Sequence, residues 1–158
     1  MPPTSFKSIS GHCECGSISY EVKAPAKELY HCHCSRCRRL HGAFFATYAY
    51  QIRDDLVIKD NHNQLKTYKS PLASWHFCGR CGCHLFAEHE QNPGAIWYMV
   101  ATLQDGARPG HPADSESHIF IKSKSCIEVL TTELPQFDGY APVEHSITAR
   151  KTSMKNSN

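Results

Sequence analysis

The chain has 158 residues, 41% of them hydrophobic, which suits one domain with one core. Seventeen basic and fifteen acidic side chains leave a formal charge of +2, too weak a field to argue for nucleic acid, and no window approaches the roughly 18 consecutive apolar residues of a membrane span. Nine cysteines behind an N-terminus, Met1-Pro2-Pro3-Thr4-Ser5-Phe6, that lacks the apolar run of a signal peptide predict a cytoplasmic protein whose thiols bind metal rather than pair as disulfides.

In chain order, Ile18, Tyr20 and Val22 alternate with polar residues, the period-two pattern of a half-buried strand. Pro25 breaks it. Leu29 to Cys32 is a short strand candidate, Ser35 to Leu40 one helical turn before Gly42, and Ala43 to Tyr50 an apolar, aromatic strand. Leu56 to Ile58 and Leu65 to Tyr68 are further strand rungs separated by Asp- and Asn-rich turns, so the pattern is a meander. Trp75 to Phe77, Leu85 to Ala87 and Ile96 to Leu103 read as a second antiparallel unit, with Trp75, Phe77, Trp97 and Tyr98 as core.

Gln104 to Ser117 carries two glycines and two prolines without periodicity and reads as one long loop, a length that is commonly functional. His118 to Lys122 and Ile127 to Leu130 are the last strand candidates. Residues 1–145 therefore read as a zinc-binding domain, and residues 146–158, with Arg150, Lys151 and Lys155, as a flexible basic tail. No helical period persists for three turns, so the fold class is mainly β with little helix.

The cysteines fall into groups: Cys13-x-Cys15, Cys32-x-Cys34-x-x-Cys37, Cys78-x-x-Cys81 with Cys83 close behind, and Cys126 alone. Cys78-Gly79-Arg80-Cys81-Gly82 is a zinc-knuckle pattern, in which Gly82 can adopt the positive φ of a tight turn. Cys13 and Cys15 leave one face of an extended segment and complete a closed four-cysteine structural site with Cys78 and Cys81.

The central group is different, because Cys32, Cys34 and Cys37 are one ligand short of a tetrahedral cage. Two readings follow. A substrate thiol takes the fourth position, with Arg36, Arg38 and Arg39 in reach of its carboxylates; or His31, His33, His41 or Cys83 closes a second structural site. Among the other histidines, His118 is the one most worth testing. A noncatalytic zinc module that binds protein or nucleic acid through the basic tail is the alternative function, although the chain has neither a broad basic face nor a stacking pattern.

Gly11-x-Cys13-x-Cys15-Gly16, Cys32-x-Cys34-x-x-Cys37-Arg38 and Phe77-Cys78-x-x-Cys81-Gly82, followed by His118-Ile119-Phe120 and Leu134-Pro135-Gln136-Phe137, resemble the glutathione-dependent formaldehyde-activating enzyme family, also called centromere protein V-like. The resemblance implies a β-tent fold of short antiparallel sheets stapled by zinc. It implies two zinc ions per chain, a structural one at Cys13, Cys15, Cys78 and Cys81 and a catalytic one at Cys32, Cys34 and Cys37. It further implies carbon–sulfur lyase chemistry of the S-(hydroxymethyl)glutathione synthase type, with glutathione and a small carbonyl such as formaldehyde as partners; Arg36, Arg38, Arg39 and His118 are the substrate-contact candidates that the residues themselves offer. Cys83 and Cys126 depart from the family's usual residues.

Overall fold

The computed structural model describes residues 6–142; the tail expected at 146–158 lies outside them. The chain falls into two compact units, one formed by the residues through Ala26 with Tyr50–Gly110, the other by Lys27–Ala49 with the residues from His111 onward. The fold is mainly β, as expected, with a single α-helix among the described residues.

In the first unit, β1 (Ile9–His12), β2 (Ile18–Val22) and β5 (Leu56–Asp60) form an antiparallel sheet in the order β1-β2-β5. β6 (Leu65–Lys69), β7 (Ala73–Cys78), β8 (His84–His89) and β9 (Ala95–Met99) follow as an antiparallel meander. The inward residues of these strands, Ile18, Tyr20, Val22, Leu56, Leu85, Phe86, Ile96 and Tyr98, are fully buried. Tyr20 joins the two sheets, edge-on to Phe86 at 5.1 Å and with its hydroxyl 2.7 Å from Thr102 Oγ1.

That tyrosine also accounts for Gly11, its partner in the β1–β2 register: a methyl group at Gly11 would stand 2.3 Å from Tyr20 Cζ. Gln51, fully buried, satisfies its amide by donating to the carbonyls of Ala24 and Pro25 and accepting from the Ile52 N–H, so its burial leaves no polar atom stranded. Trp75 and Tyr98 are core, as expected, whereas Phe77 and Trp97 are half-buried.

Strand β9 stops at Met99, short of the expected Leu103. Thr102 donates to the Met99 carbonyl at 2.8 Å and the Leu103 N–H to Val100 at 3.1 Å, so a 3₁₀ turn takes over the backbone hydrogen bonds that a longer strand would need.

In the second unit, β3 (Glu28–Cys32), the helix α1 (Ser35–His41), β4 (Ala46–Ile52, running across the unit boundary in sequence) and β10 (Glu116–Ile119) form the frame, with the order β10-β3-β4. β10 pairs with β3 in parallel, with His118 opposite His31 and Ile119 opposite Cys32. The expected sheets were antiparallel. More than eighty residues separate these strands, and a chain returning through so long a connection is free to run in the same direction.

β10 ends sooner than expected because Phe120 takes a left-handed conformation (φ 59°) and leads into another 3₁₀ turn. Ile127 to Leu130 forms no strand, and Ile127 and Val129 are 73% and 83% exposed. The expected long loop is shortened to Gln104–Pro112 by a 3₁₀ turn over Ala113–Ser115 that runs into β10.

Candidate metal centre

The sulfurs of Cys13, Cys15, Cys78 and Cys81 converge within 4.8 Å of one another. Local geometry brings them there. Cys13 follows β1, and the Gly16 N–H donates back to its carbonyl at 2.9 Å, a turn that returns Cys15 beside Cys13 with sulfurs 3.7 Å apart. Cys78 ends β7, and the Gly82 N–H donates to the Cys78 carbonyl at 2.8 Å with Gly82 at φ 75°, the positive value expected of a knuckle.

Cys15 and Cys78 lie 3.8 Å apart. A tetrahedron of thiolates around zinc, at about 2.3 Å from metal to sulfur, has edges of about 3.8 Å, so the donor set fits that ion in both chemistry and size. Burial pushes the Cys13 thiol up to about 12, while the hydroxyl of Ser17, 3.2 Å from the Cys15 sulfur, helps pull Cys15 down to about 6. One sulfur is ready to ionise, and its buried neighbour needs a cation before it does so.

The second group is built at the join of β3 and α1. Cys32 is the last residue of β3. Cys34 caps α1, its sulfur accepting the Cys37 N–H at 3.3 Å, which is the reason for two intervening residues: an N-cap side chain reaches the amide three positions on. Cys37 faces inward from the first turn and is 6% exposed. The three sulfurs lie within 4.8 Å of one another, and no fourth His, Cys, Asp or Glu among the described residues joins them.

Their proton affinities split sharply. Hydrogen bonds from Cys32 and Cys37 hold Cys34 down to about 2, while the same bond to Cys34, with burial, pushes Cys32 far up. Crowding thus makes Cys34 the first of the three sulfurs to ionise, which suits a soft cation.

The three histidines considered as a fourth ligand are engaged elsewhere. His31 Nδ1 lies 2.9 Å from Thr47 Oγ1 and its Nε2 2.9 Å from Glu116; His33 lies between Glu128 and His118; His41 Nε2 is 3.0 Å from the Tyr48 hydroxyl. Cys83 belongs to the first unit, where its sulfur lies 3.6 Å from the His84 carbonyl.

Arg38 and Arg39 line an open groove of about 420 Å³ with Gly42, Ala43, Phe44 and Ser125, and Arg38 Nε is buried without a hydrogen-bond partner. Arg36 is exposed on the same helix. His118 is 4% exposed, stacked on His31 at 4.6 Å.

Residues 8–123 match the family model described as glutathione-dependent formaldehyde-activating enzyme. The chain belongs to this family. All seven clustered cysteines fall inside the matched span, as do the three arginines and His118, while Cys126 and Glu128 follow it. A crystal structure of a Rhodobacter sphaeroides protein is similar at 30% identity and a TM-score of 0.50, over 64% of this chain and 92% of that one. No helix among the described residues is long and apolar enough to cross a membrane.

Tyr48 and Glu128 escaped the sequence reading, and His41, weighed there as a fourth ligand, stands instead against the Tyr48 hydroxyl. Tyr48 sits in an apolar, aromatic strand where a tyrosine reads as core, and Glu128 meets His33 across 95 positions of chain.

Proposed function

We propose that this chain is a cytoplasmic, zinc-dependent carbon–sulfur lyase that joins a thiol such as glutathione to a small carbonyl such as formaldehyde, or cleaves the adduct. One observation carries the reading: two sulfur groups of different completeness in one chain, four in one and three in the other. Four thiolates saturate a tetrahedral ion and suit a structural role, whereas three leave it a ligand short. Membership of the family supports glutathione and formaldehyde as the reactants.

Zinc held by Cys32, Cys34 and Cys37 would lower the pKa of an incoming thiol so that it meets the carbonyl as a thiolate at neutral pH. The protein's own groups do the rest. Cys34, as helix cap, and Cys37, one turn on, are locked to each other by the backbone, so the sulfur triangle is set before substrate arrives. Arg38 and Arg39, one and two residues beyond Cys37, offer guanidinium groups to the substrate's carboxylates, and a carboxylate there gives the buried Arg38 Nε an acceptor. In the forward direction the sulfur–carbon bond forms, the carbonyl π pair moves to oxygen, and the thiol's proton ends on that oxygen.

The test is cobalt substitution. Two cobalt ions per chain, with thiolate-to-cobalt absorption that changes on adding glutathione, are expected, together with loss of free thiol when formaldehyde follows. Absorption indifferent to every small thiol would leave a noncatalytic zinc module.

A further inference from the structure

The central cysteines have a tyrosine behind them that the reaction as written does not use. Tyr48, on β4 and 6% exposed, places its hydroxyl 3.6 Å from Cys37 Sγ, within hydrogen-bond range of sulfur. On its other side the same oxygen lies 3.0 Å from His41 Nε2, the imidazole set edge-on to the phenol at 5.8 Å.

Proton counting gives this chain a direction. A thiolate only accepts, so once Cys37 is a ligand the single proton of Tyr48 goes to sulfur. The phenol oxygen then accepts, and His41 must carry its proton on Nε2. Each group settles the next. A side-chain hydroxyl with one proton between two acceptors would leave one of them unmet; here the last residue of α1 supplies the donor that completes the row.

A core tyrosine that merely needed a partner would be as well served by a backbone carbonyl. This one is aimed at a ligand atom and is itself held by a second side chain, the layout by which outer groups orient and tune a metal's ligands. We infer that Tyr48 and His41 act as positioning residues for Cys37, withdrawing charge from its sulfur and holding its direction, and so set how electron-rich a thiol bound at the central cysteines becomes. The inference rests on the metal reading of those cysteines but not on the identity of the substrate.

Cobalt-loaded protein separates the two. Tyr48→Phe keeps the ring and removes the donor, so the thiolate-to-cobalt band of the central ion should move to longer wavelength, the four-cysteine site serving as an internal constant. Zinc affinity at the central site, read by chelator competition, should fall about 10-fold. His41→Gln, whose amide also donates, should keep the parent band, and His41→Leu should move it toward that of Tyr48→Phe. Two cobalt ions with superimposable spectra in parent and Tyr48→Phe would overturn this inference alone. A parent protein that binds a single cobalt would overturn the metal reading and this inference with it.

Discussion

His33 Nε2 lies 2.8 Å from His118 Nδ1, and the other nitrogen of His33 lies 3.1 Å from a Glu128 carboxylate oxygen. A carboxylate accepts, so His33 donates from Nδ1, keeps a lone pair on Nε2, and receives the Nδ1 proton of His118. Strand alternation puts His31 on the face of β3 opposite Cys32, His33 follows the strand with its N–H donating to the Ile119 carbonyl, and register puts His118 beside His31. Four imidazoles, those of His31, His33, His111 and His118, and the carboxylates of Glu116 and Glu128 thus gather behind the strand that delivers the central cysteines, with Lys124 donating to the Glu128 carbonyl.

Burial lowers His118 to about 4, and His33 is lowered by burial as well. An imidazole held neutral in the fold but free to protonate when unfolded binds more protons in the unfolded state, so stability rises with pH through this window and is lost as pH falls from about 6.5 towards 4. For His118 the loss is of order 2 kcal/mol. Urea unfolding of the zinc-loaded protein at pH 6.5 and pH 5 reads it. Thiolate protonation acts in the same direction, so the comparison is with His118→Asn, which keeps a donor near the Nδ1 position and should show a shallower pH slope; equal slopes would remove His118 as the cause.

The two sulfur groups should fail differently. Structural zinc contributes about 10 to 16 kcal/mol in small metal-dependent folds, against about 5 to 15 kcal/mol for a whole domain. Cys78→Ser should therefore yield insoluble or unfolded protein, and Cys37→Ser a folded protein without activity. Circular dichroism and zinc content would show it, and equal damage from both would erase the distinction.

Gly11→Ala should destabilise by about 1 to 3 kcal/mol, because the new methyl group overlaps the buried ring of Tyr20, which is pinned by Phe86 and Thr102. A shifted urea midpoint at constant slope is the expected signature. Unchanged stability would mean that the ring does not lie over Gly11.

Arg38→Gln should raise KM for glutathione by about 10- to 100-fold, the worth of a charge-assisted hydrogen bond, with a smaller effect on kcat. Cysteamine, a thiol without a carboxylate, should react equally well with the parent and the variant. Loss of activity toward both thiols would place Arg38 in the architecture of the groove rather than in recognition of the substrate's charge.

Much of the frame was legible because its causes are local. The alternation of Ile18, Tyr20 and Val22 places β2, and the spacings in Cys34-x-x-Cys37 and Cys78-x-x-Cys81 answer to the reach of a helix cap and of a tight turn, which a few residues settle among themselves. Ile127 to Leu130 has a strand's composition yet forms none, because a strand also needs a neighbouring edge to accept its backbone hydrogen bonds, and composition does not say which edges are free.

The sequence by itself determined the three-cysteine group, the two halves of the four-cysteine group and the mainly β character, since each depends on spacings shorter than one turn or one strand. Tertiary structure alone decided that β10 would run parallel to β3, that Glu128 would meet His33, and that Tyr48 would stand behind Cys37. These pairings join segments whose separation carries no periodicity, and they exist because a buried hydroxyl, imidazole or carboxylate must find its partner wherever the packed chain brings one.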